Sequence, residues 1–362
     1  AEQQSGQRIS RVVVGVSGDH ISTFLTRAIV NTSSTEIAQS DINRLHKELG
    51  QVSITADRRI LHVVPQDYVI DGQDGVSDPL GMSGKRLEAN GLVITASSAA
   101  VENIYRCADR ADVHIDAIVL QPLASAYAVL DEAEREVGVG IIDIGGGTTD
   151  VAVFKDNVLR YTSIVSIAGQ KVTDDIVAVL GIRNMDAERI KKDHGHADAE
   201  TIMRDEVFQV PAVGGRTPTE LSKSILCQII EPRVEEIYEL AMHRLVESGW
   251  ARQLGAGIVV TGGCAMLRGA DVLANRMFNI AVTIGLPRGF SSDGLAKEVS
   301  SPMYSTAVGL ALYSMKHAGE FDDKVEESLA EQHQQTVTDD REQHPSSKPG
   351  FLGKLKDWFE NL

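Results

Sequence analysis

Three glycines follow an apolar run that carries a carboxylate: Ile141-Ile-Asp-Ile-Gly-Gly-Gly-Thr-Thr-Asp150. The pattern predicts a buried strand that brings Asp143 to its C-terminal end. A turn of Gly145, Gly146 and Gly147 then lets the backbone approach a ligand without Cβ obstruction. Amides in such a turn line an anion nest, and the hydroxyls of Thr148 and Thr149 add donors. A carboxylate at the mouth suits a hydrated Mg2+, which takes one or two carboxylates beside phosphate oxygens. The chemistry implied is phosphate binding. A plain hairpin turn needs neither the acid nor the threonines. A second run, Val259-Val-Thr-Gly-Gly-Cys-Ala-Met-Leu-Arg-Gly269, repeats the device. Here Gly262 and Gly263 open onto a helix N-terminus, which favours anions. Alone this is equally an ordinary β–α turn. Two such turns in one chain favour two arms closing on one nucleotide.

These turns need strands to deliver them and helices to brace them. Arg8–Ser17 reads as a buried strand ending in a Ser-Gly-Asp turn, followed by a polar helix near Ser40–Leu49 with Ser40 as N-cap. Arg59–Val69 and Arg86–Thr95 read as strands, separated by a Gly/Pro loop over Asp71–Leu80. An amphipathic helix is predicted over Ser97–Arg110, a strand over Val113–Leu120 and a small-residue helix over Leu123–Leu130. A meander follows at Val137–Ile144, Asp150–Phe154 and Val158–Ile164. Helical spacing then dominates: Asp174–Leu180, Asp186–Lys192 and Leu221–Leu245, broken by Val207–Val210 and Pro211–Pro218. The last alternation is strand Ala256–Val260, helix Leu267–Phe278, strand Ala281–Ile284 and helix Tyr304–Tyr313. This order implies an α/β architecture. Glu188 and Lys191 lie three apart and share a helix face, which by itself is most simply a solvated ion pair.

The 362 residues carry a net charge of −16, with 43% hydrophobic and 24% charged residues. That excludes wholesale disorder and argues against a broad nucleic-acid-binding surface. Cys107, Cys227 and Cys264 are far apart, which excludes a disulfide framework and a cysteine-rich zinc site. No apolar run approaches the ~18 residues a membrane span needs. Gly319–Glu342 holds nine acids and two bases, the composition of a disordered linker. Beyond it, Phe351–Leu362 is amphipathic. At ~100° per residue, Phe351, Leu352, Leu355, Trp358, Phe359 and Leu362 share an arc of about 120°. Lys354 and Lys356 flank that arc, where their stems snorkel. This predicts a reversible membrane anchor whose avidity rises when many tails share one bilayer. A helix docked in a partner groove is the other reading.

The two glycine turns together resemble the second phosphate loop and the adenosine loop of the actin-like ATPase superfamily, which includes actin, MreB, heat-shock ATPases and sugar kinases. Within it, Val12–His20, Arg59–Tyr68, Gly81–Leu87, Val213–Arg216, Ile230–Arg233 and Tyr304–Gly309 resemble the FtsA family of bacterial cell-division proteins, over nearly the whole chain. The resemblance implies an actin-like (ribonuclease-H-like) two-lobed ATPase fold with an FtsA-type inserted subdomain. It implies ATP and Mg2+ as cofactors, with Asp143, Gly145, Gly146, Gly147 and Thr148 at phosphate and metal. Gly262 and Gly263 would face adenosine, and Glu188 and Lys191 the ribose. In chaperone-like members an acid precedes the proline of the first crossing helix; here that position is Gln121, which orients a water but takes no proton. At most a weak ATPase is expected, with nucleotide as a polymerisation switch.

The implied divisions are 1–88, inserted subdomain; 89–136, remainder of the first lobe; 137–168 with 256–300, second-lobe core. Then follow 169–255, a helical subdomain that binds the tubulin-like polymer FtsZ; 301–318, a helix returning to the first lobe; 319–349, linker; and 350–362, membrane-targeting helix. Arg233 and Glu236, on what reads as a Pro-initiated helix, are the expected FtsZ contact, against a plain surface ion pair. Further implied partners are the chain itself in filaments, later division proteins and an anionic membrane surface. The implied location is the cytoplasmic side of the plasma membrane at the septum. The family's first phosphate loop, an Asp-Ile-Gly-Thr-like turn, is not found in this sequence. Val14-Gly-Val-Ser-Gly18 lacks its Asp and matches the inserted subdomain instead. The expectation is therefore a chain lacking its N-terminal strands. A sugar-kinase-type phosphotransferase and an adaptor of a pilus or secretion assembly are the competing functions on this fold.

Overall fold

Valine-rich Arg11–Val16 forms β1, after a single-turn helix α1 (Glu2–Ser5). Then come β2 (Ser22–Asn31), α2 (Gln39–Gly50), β3 (Arg58–Ile70), β4 (Gln73–Val76) and β5 (Arg86–Ser97). They lead through α3 (Ser98–Arg110), β6 (His114–Leu120), α4 (Gln121–Val129) and α5 (Glu132–Val137) to the meander β7 (Val139–Ile144), β8 (Thr149–Lys155) and β9 (Val158–Val165). Next are α6 (Gly169–Leu180), α7 (Asn184–His194), β10 (Val207–Val210), β11 (Thr219–Ser222) and α8 (Lys223–Glu247). The order closes with β12 (Ile258–Thr261), α9 (Ala270–Phe278), β13 (Val282–Ile284) and α10 (Ser305–Lys316). This computed structural model describes residues 2–212, 214, 217–289 and 294–318. The expected linker and the anchor residues Phe351, Leu352, Lys354, Leu355, Lys356, Trp358, Phe359 and Leu362 lie outside the described residues. Residues 1–313 form one compact unit, and 314–362 are assigned to a second.

The central sheet has the order β13-β12-β7-β8-β9, with β12 parallel to β7 and β13 and the meander antiparallel. Every residue of β7 is buried. The reason lies in its alternation: successive side chains leave on opposite faces. Ile142 and Ile144 pack into a core with α6, α7, α8 and α9. Val139 and Ile141 enter a second core with α4, through Ala126, Ala128 and Val129. A separate antiparallel sheet, β2-β5-β3-β4, is covered by α2, whose Ile42, Leu45 and Leu49 meet Ala28, Val30, Tyr68, Ile70 and Leu87 in a third core.

Several details differ from the sequence expectations. β1 pairs in parallel with β6, outside the inserted sheet that Val14–Gly18 was expected to join. A valine-rich strand suits a parallel pair flanked by helices better than a half-solvated antiparallel sheet. β2 has no counterpart in the predicted elements, because adjacent Phe24 and Leu25 blur its alternation. The Asp71–Leu80 loop contains β4, and polar α5 is also new; Asp131 and Glu134 reciprocally cap it. The cap of α2 is Ala38 rather than Ser40, with the Asp41 carboxylate accepting the Ala38 N–H at 3.1 Å. Leu221 and Ser222 belong to β11, not to the following helix. Pro232 does not start a helix: it lies inside α8. There it removes the N–H that Gln228 C=O would otherwise accept.

Candidate functional site

Both glycine turns end adjacent strands. Thr261 of β12 is paired with Asp143 of β7, so the residues after them emerge side by side at one sheet edge. Gly262 is the close-approach position. It has φ +87°, and a Cβ there would lie 2.4 Å from Asp143 Oδ1 and 2.5 Å from the Ile144 carbonyl oxygen. Gly146, Gly147 and Gly263 differ: no protein atom among the described residues lies within 4 Å of where their Cβ would be. Packing does not demand glycine there, and the space beside these three positions is open.

The first turn is braced by α6. Gly169 N–H donates to Gly145 O at 3.1 Å and Gln170 N–H to Gly146 O at 2.8 Å. These loop carbonyls supply what an N-cap side chain would, since the cap residue is Ala168. Beside the turns opens a cavity of about 500 Å³. Gly145 and Gly146 form one wall with Gly169 and Gln170 of α6. Glu188, Lys191 and Lys192 of α7 form another, and the third comes from the stretch Gly263–Arg268 together with Met303. Three cations (Lys191, Lys192, Arg268) against one carboxylate give the lining the polarity an anionic ligand needs.

Glu188 and Lys191 do share a face, and it is the cavity face. They are 2.6 Å apart, and Thr173 Oγ1 donates to Glu188 at 2.6 Å. Lys191 Nζ donates to Thr173 Oγ1 at 2.8 Å and to Gly169 O at 3.0 Å. Burial pushes the Glu188 carboxyl up, but the Lys191 ammonium and Thr173 hydroxyl outweigh it and hold it below its ordinary value. The ion pair is thus part of the brace between α7 and α6.

Asp143 lies behind the turn and is 6% exposed. Ser125 of α4 donates to its Oδ2 at 2.5 Å and Thr306 of α10 at 3.2 Å. Burial raises its pKa against those hydroxyls. Asp150, paired with Asp143 across the hairpin, is pushed up to about 7, first by burial and then by the Asp143 charge. Ser17, in the turn after β1, donates to Asp150 and contacts Thr148 Oγ1 at 3.3 Å. Burial thus raises both neighbouring carboxyls, and the Asp143 charge adds to the shift of Asp150.

The cavity therefore brings together Gly145, Gly146, Gly263, Glu188 and Lys191. Asp143, Gly147, Thr148, Gly262 and Gln121 are not in its lining. Gln121 opens α4 and faces β1, where its Cγ lies 3.2 Å from where a Gly15 Cβ would be. Ser17, Ser125, Thr306, Gln170, Lys192 and Arg268 are additions from the structure. Several of them lie inside the predicted elements and turns, but residue type alone does not mark them out there.

Arg233 and Glu236 form an ion pair on α8, and Arg233 also makes a fork with Asp175 of α6, at 2.6 and 3.0 Å. Asp175 first, then Glu236, raises the guanidinium pKa still further. They border a groove of about 420 Å³ with Val179, Ile229 and Pro232. Val179 is 64% exposed, which leaves apolar surface beside fixed charge.

Residues 140–309 match the family model described as cell division protein FtsA, and residues 18–95 match the SHS2 domain inserted in FtsA. The cell division protein FtsA of Pseudomonas aeruginosa is 43% identical over 316 residues, covering 87% of this chain and 75% of that protein. The chain belongs to the FtsA family. It is accordingly a cell division protein of the actin-like class. The match to the inserted domain spans β2–β5 and leaves β1 outside, as the strand pairing does. Among solved structures, the PilM–PilN type IV pilus biogenesis complex has a TM-score of 0.56 at 15% identity, covering 86% of this chain and 82% of that one. MreB 5 of Spiroplasma citri bound to AMPPNP has a TM-score of 0.52 at 20% identity, covering 63% and 68%. At these identities the likeness establishes the actin-like fold. Among the described residues no helix is long and apolar enough to cross a membrane.

Proposed function

We propose that the chain binds ATP with Mg2+ in the 500 Å³ cavity and acts as an actin-like scaffold. In this reading it polymerises and anchors FtsZ filaments to the cytoplasmic face of the plasma membrane at the septum, where later division proteins join. The observation that carries it is the convergence of two glycine turns, a helix N-terminus and three cations on one cavity. The amides of Gly145–Gly147 would meet phosphates and Gly262–Gly263 the adenosine, with Glu188 and Lys191 at the ribose edge. Asp143 would hold the metal, which supplies charge neutralisation at the phosphates; Gln121 would orient a water. MreB 5, of like fold, was solved with AMPPNP. The subdomain divisions given above belong to the same reading, with the inserted sheet bounded by β2 and β5.

Titration of the full chain with ATP and Mg2+ tests the proposal. The unsubstituted chain is expected to bind. Gly146→Ala should weaken binding at least about tenfold, because a methyl group would occupy the open face of the turn. Its unfolding midpoint should not move, because no protein atom is displaced. Binding that is undetectable in the parent, or equal in the variant, would sink the reading.

The groove beside Arg233 and the segment Phe351–Leu362 are the proposed contacts with FtsZ and membrane. The groove places a guanidinium fixed between Asp175 and Glu236 beside exposed Val179, a charged site with one apolar anchor point. Arg233→Glu places a carboxylate against Asp175 and Glu236. It should reduce FtsZ co-sedimentation about tenfold or more, with the fold kept, as judged by circular dichroism. Undiminished co-sedimentation removes Arg233 from the contact.

A further inference from the structure

The cavity carries more positive charge than its one carboxylate needs. Lys191, Lys192 and Arg268 line it against Glu188, and three cations less one acid leave two positive charges. The three cations are bonded differently. An ammonium has three N–H donors. Lys191 commits all of them within the protein: to Glu188 Oε2 at 2.6 Å, Thr173 Oγ1 at 2.8 Å and Gly169 O at 3.0 Å. Its side chain is 11% exposed, and it matches the single charge of Glu188.

Lys192 and Arg268 are placed otherwise. Lys192 meets the other oxygen of Glu188, Oε1, at 3.1 Å, and its side chain is 69% exposed. Arg268 donates from Nη1 to Asp193 O at 3.0 Å, and no carboxylate of the described residues stands at ion-pair distance from it. Its own backbone is fixed, because Ala197 N–H donates to Arg268 O at 2.8 Å. A contact chain orders this wall from the triple-glycine turn outward. Gly145 O accepts from Gly169 N–H, Gly169 O from Lys191, and Glu188 links Lys191 to Lys192. Arg268 lies at the C-terminal end of α7, on the carbonyl of Asp193. The two uncompensated cations are thus set off from the turn by the Lys191 brace. In the reading above, the amides of that turn already serve the 5′ phosphates. A ribose and a purine are uncharged and need no further pair of cations.

We infer that Lys192 and Arg268 form a second anion subsite beside the ribose. The cavity then takes a nucleotide phosphorylated on its 2′ or 3′ carbon as well as on its 5′ carbon. The second phosphate accepts from the uncommitted N–H groups of Lys192 and Arg268 and neutralises the two surplus charges. A guanidinium meets phosphate oxygens through parallel N–H···O bonds, and the ammonium adds a point charge. The inference rests on the reading of the cavity as a nucleotide site and names the class of nucleotide that fits it.

Titration calorimetry of the full chain at low salt provides the test, with three probes: adenosine 5′-monophosphate, adenosine 3′,5′-bisphosphate and adenosine 2′,5′-bisphosphate. One bisphosphate should bind about tenfold tighter than the monophosphate or more, as added charge-assisted bonds give. The isomer that gains assigns the carbon. Lys192→Ala combined with Arg268→Ala should bring that ratio to within about twofold of one, whatever becomes of the monophosphate affinity itself. Arg268→Lys with Lys192 kept, which conserves the charge, should retain part of the gain. Lys171→Ala removes a half-exposed lysine of α6 outside the cavity lining and should leave the ratio at its parental value. Loss of the gain in Lys171→Ala to the same extent would mean general attraction to positive charge and overturns the subsite. A ratio of one for both isomers in the parent, or a ratio kept in the double variant, also overturns it while the nucleotide reading stands. No binding of any probe, nor of ATP with Mg2+, sinks both.

Discussion

Gly309→Ala is expected to destabilise the protein by at least about 3 kcal/mol, at or beyond the usual range for overpacking. A Cβ at Gly309 would lie 1.8 Å from the Ala124 carbonyl oxygen and 2.4 Å from its carbon. Both are backbone atoms in α4, so no side chain can swing aside. The added methyl must instead push α10 away from α4. That separation breaks more than packing. Thr306 lies one turn before Gly309, within 3.0 Å of Ser125 Oγ and 3.2 Å of Asp143 Oδ2. Driving the helices apart removes hydroxyls from a buried carboxylate, which costs more than the bonds themselves contribute. Urea unfolding should show a lower midpoint with an unchanged slope. Gly146→Ala is the matched comparison. Its Cβ meets nothing within 4 Å, so its midpoint should stay within about 0.5 kcal/mol of the parent. A Gly309→Ala protein as stable as Gly146→Ala would disprove the backbone contact between α4 and α10.

The second large effect is a change in how stability depends on pH. The Asp150 carboxyl is raised from 3.8 to about 7, chiefly by burial and then by the Asp143 charge. The native state therefore keeps a proton that the unfolded chain gives up near pH 3.8. Stability from this group is complete below that pH and is lost as pH rises through about 7. Asp150→Asn retains a side-chain oxygen for the Ser17 hydroxyl and cannot ionise. Relative to the parent, the variant should gain about 3 kcal/mol between pH 5 and pH 8. Chemical denaturation at four or five pH values in that window measures it. Parallel curves for the two proteins would mean that Asp150 is charged throughout and that burial does not hold its proton.

How much of this was legible beforehand depends on the range over which each signal acts. The strand before the triple glycine, the second glycine turn and the small-residue crossing helices are local patterns. Period-2 burial, missing Cβ atoms and small side chains are visible within ten residues of sequence. The same holds for Glu188 and Lys191 sharing a face. β2 was not legible, because Phe24 and Leu25 are adjacent apolar residues where alternation should stand. Its buried face is set by the third core, whose β3 and β5 members lie far along the chain. Pro232 misled for a related reason: proline usually opens a helix, but here the buried faces of Ile230, Val234 and Ile237 hold one continuous helix across it.

Site residues divide in the same way. Ser17, Ser125 and Thr306 are ordinary hydroxyls in sequence, and only the crossing of β1, α4 and α10 behind β7 turns them into the surroundings of Asp143 and Asp150. Arg268 and Lys192 acquire a role through the cavity they flank. Arg160 and Asp67 are separated by 93 positions and meet because a bulge turns one sheet toward the edge of another.

By itself the sequence determined the family and the α/β order, since each rests on residue types at fixed short spacing. Tertiary structure decided which polar groups converge, which glycines are forced and which are open, and how the inserted sheet is held. The physical reason is the range of the forces involved. Backbone conformation and periodic burial act along the chain. Burial of charge, steric contact and hydrogen bonding between distant segments exist only once the chain has packed.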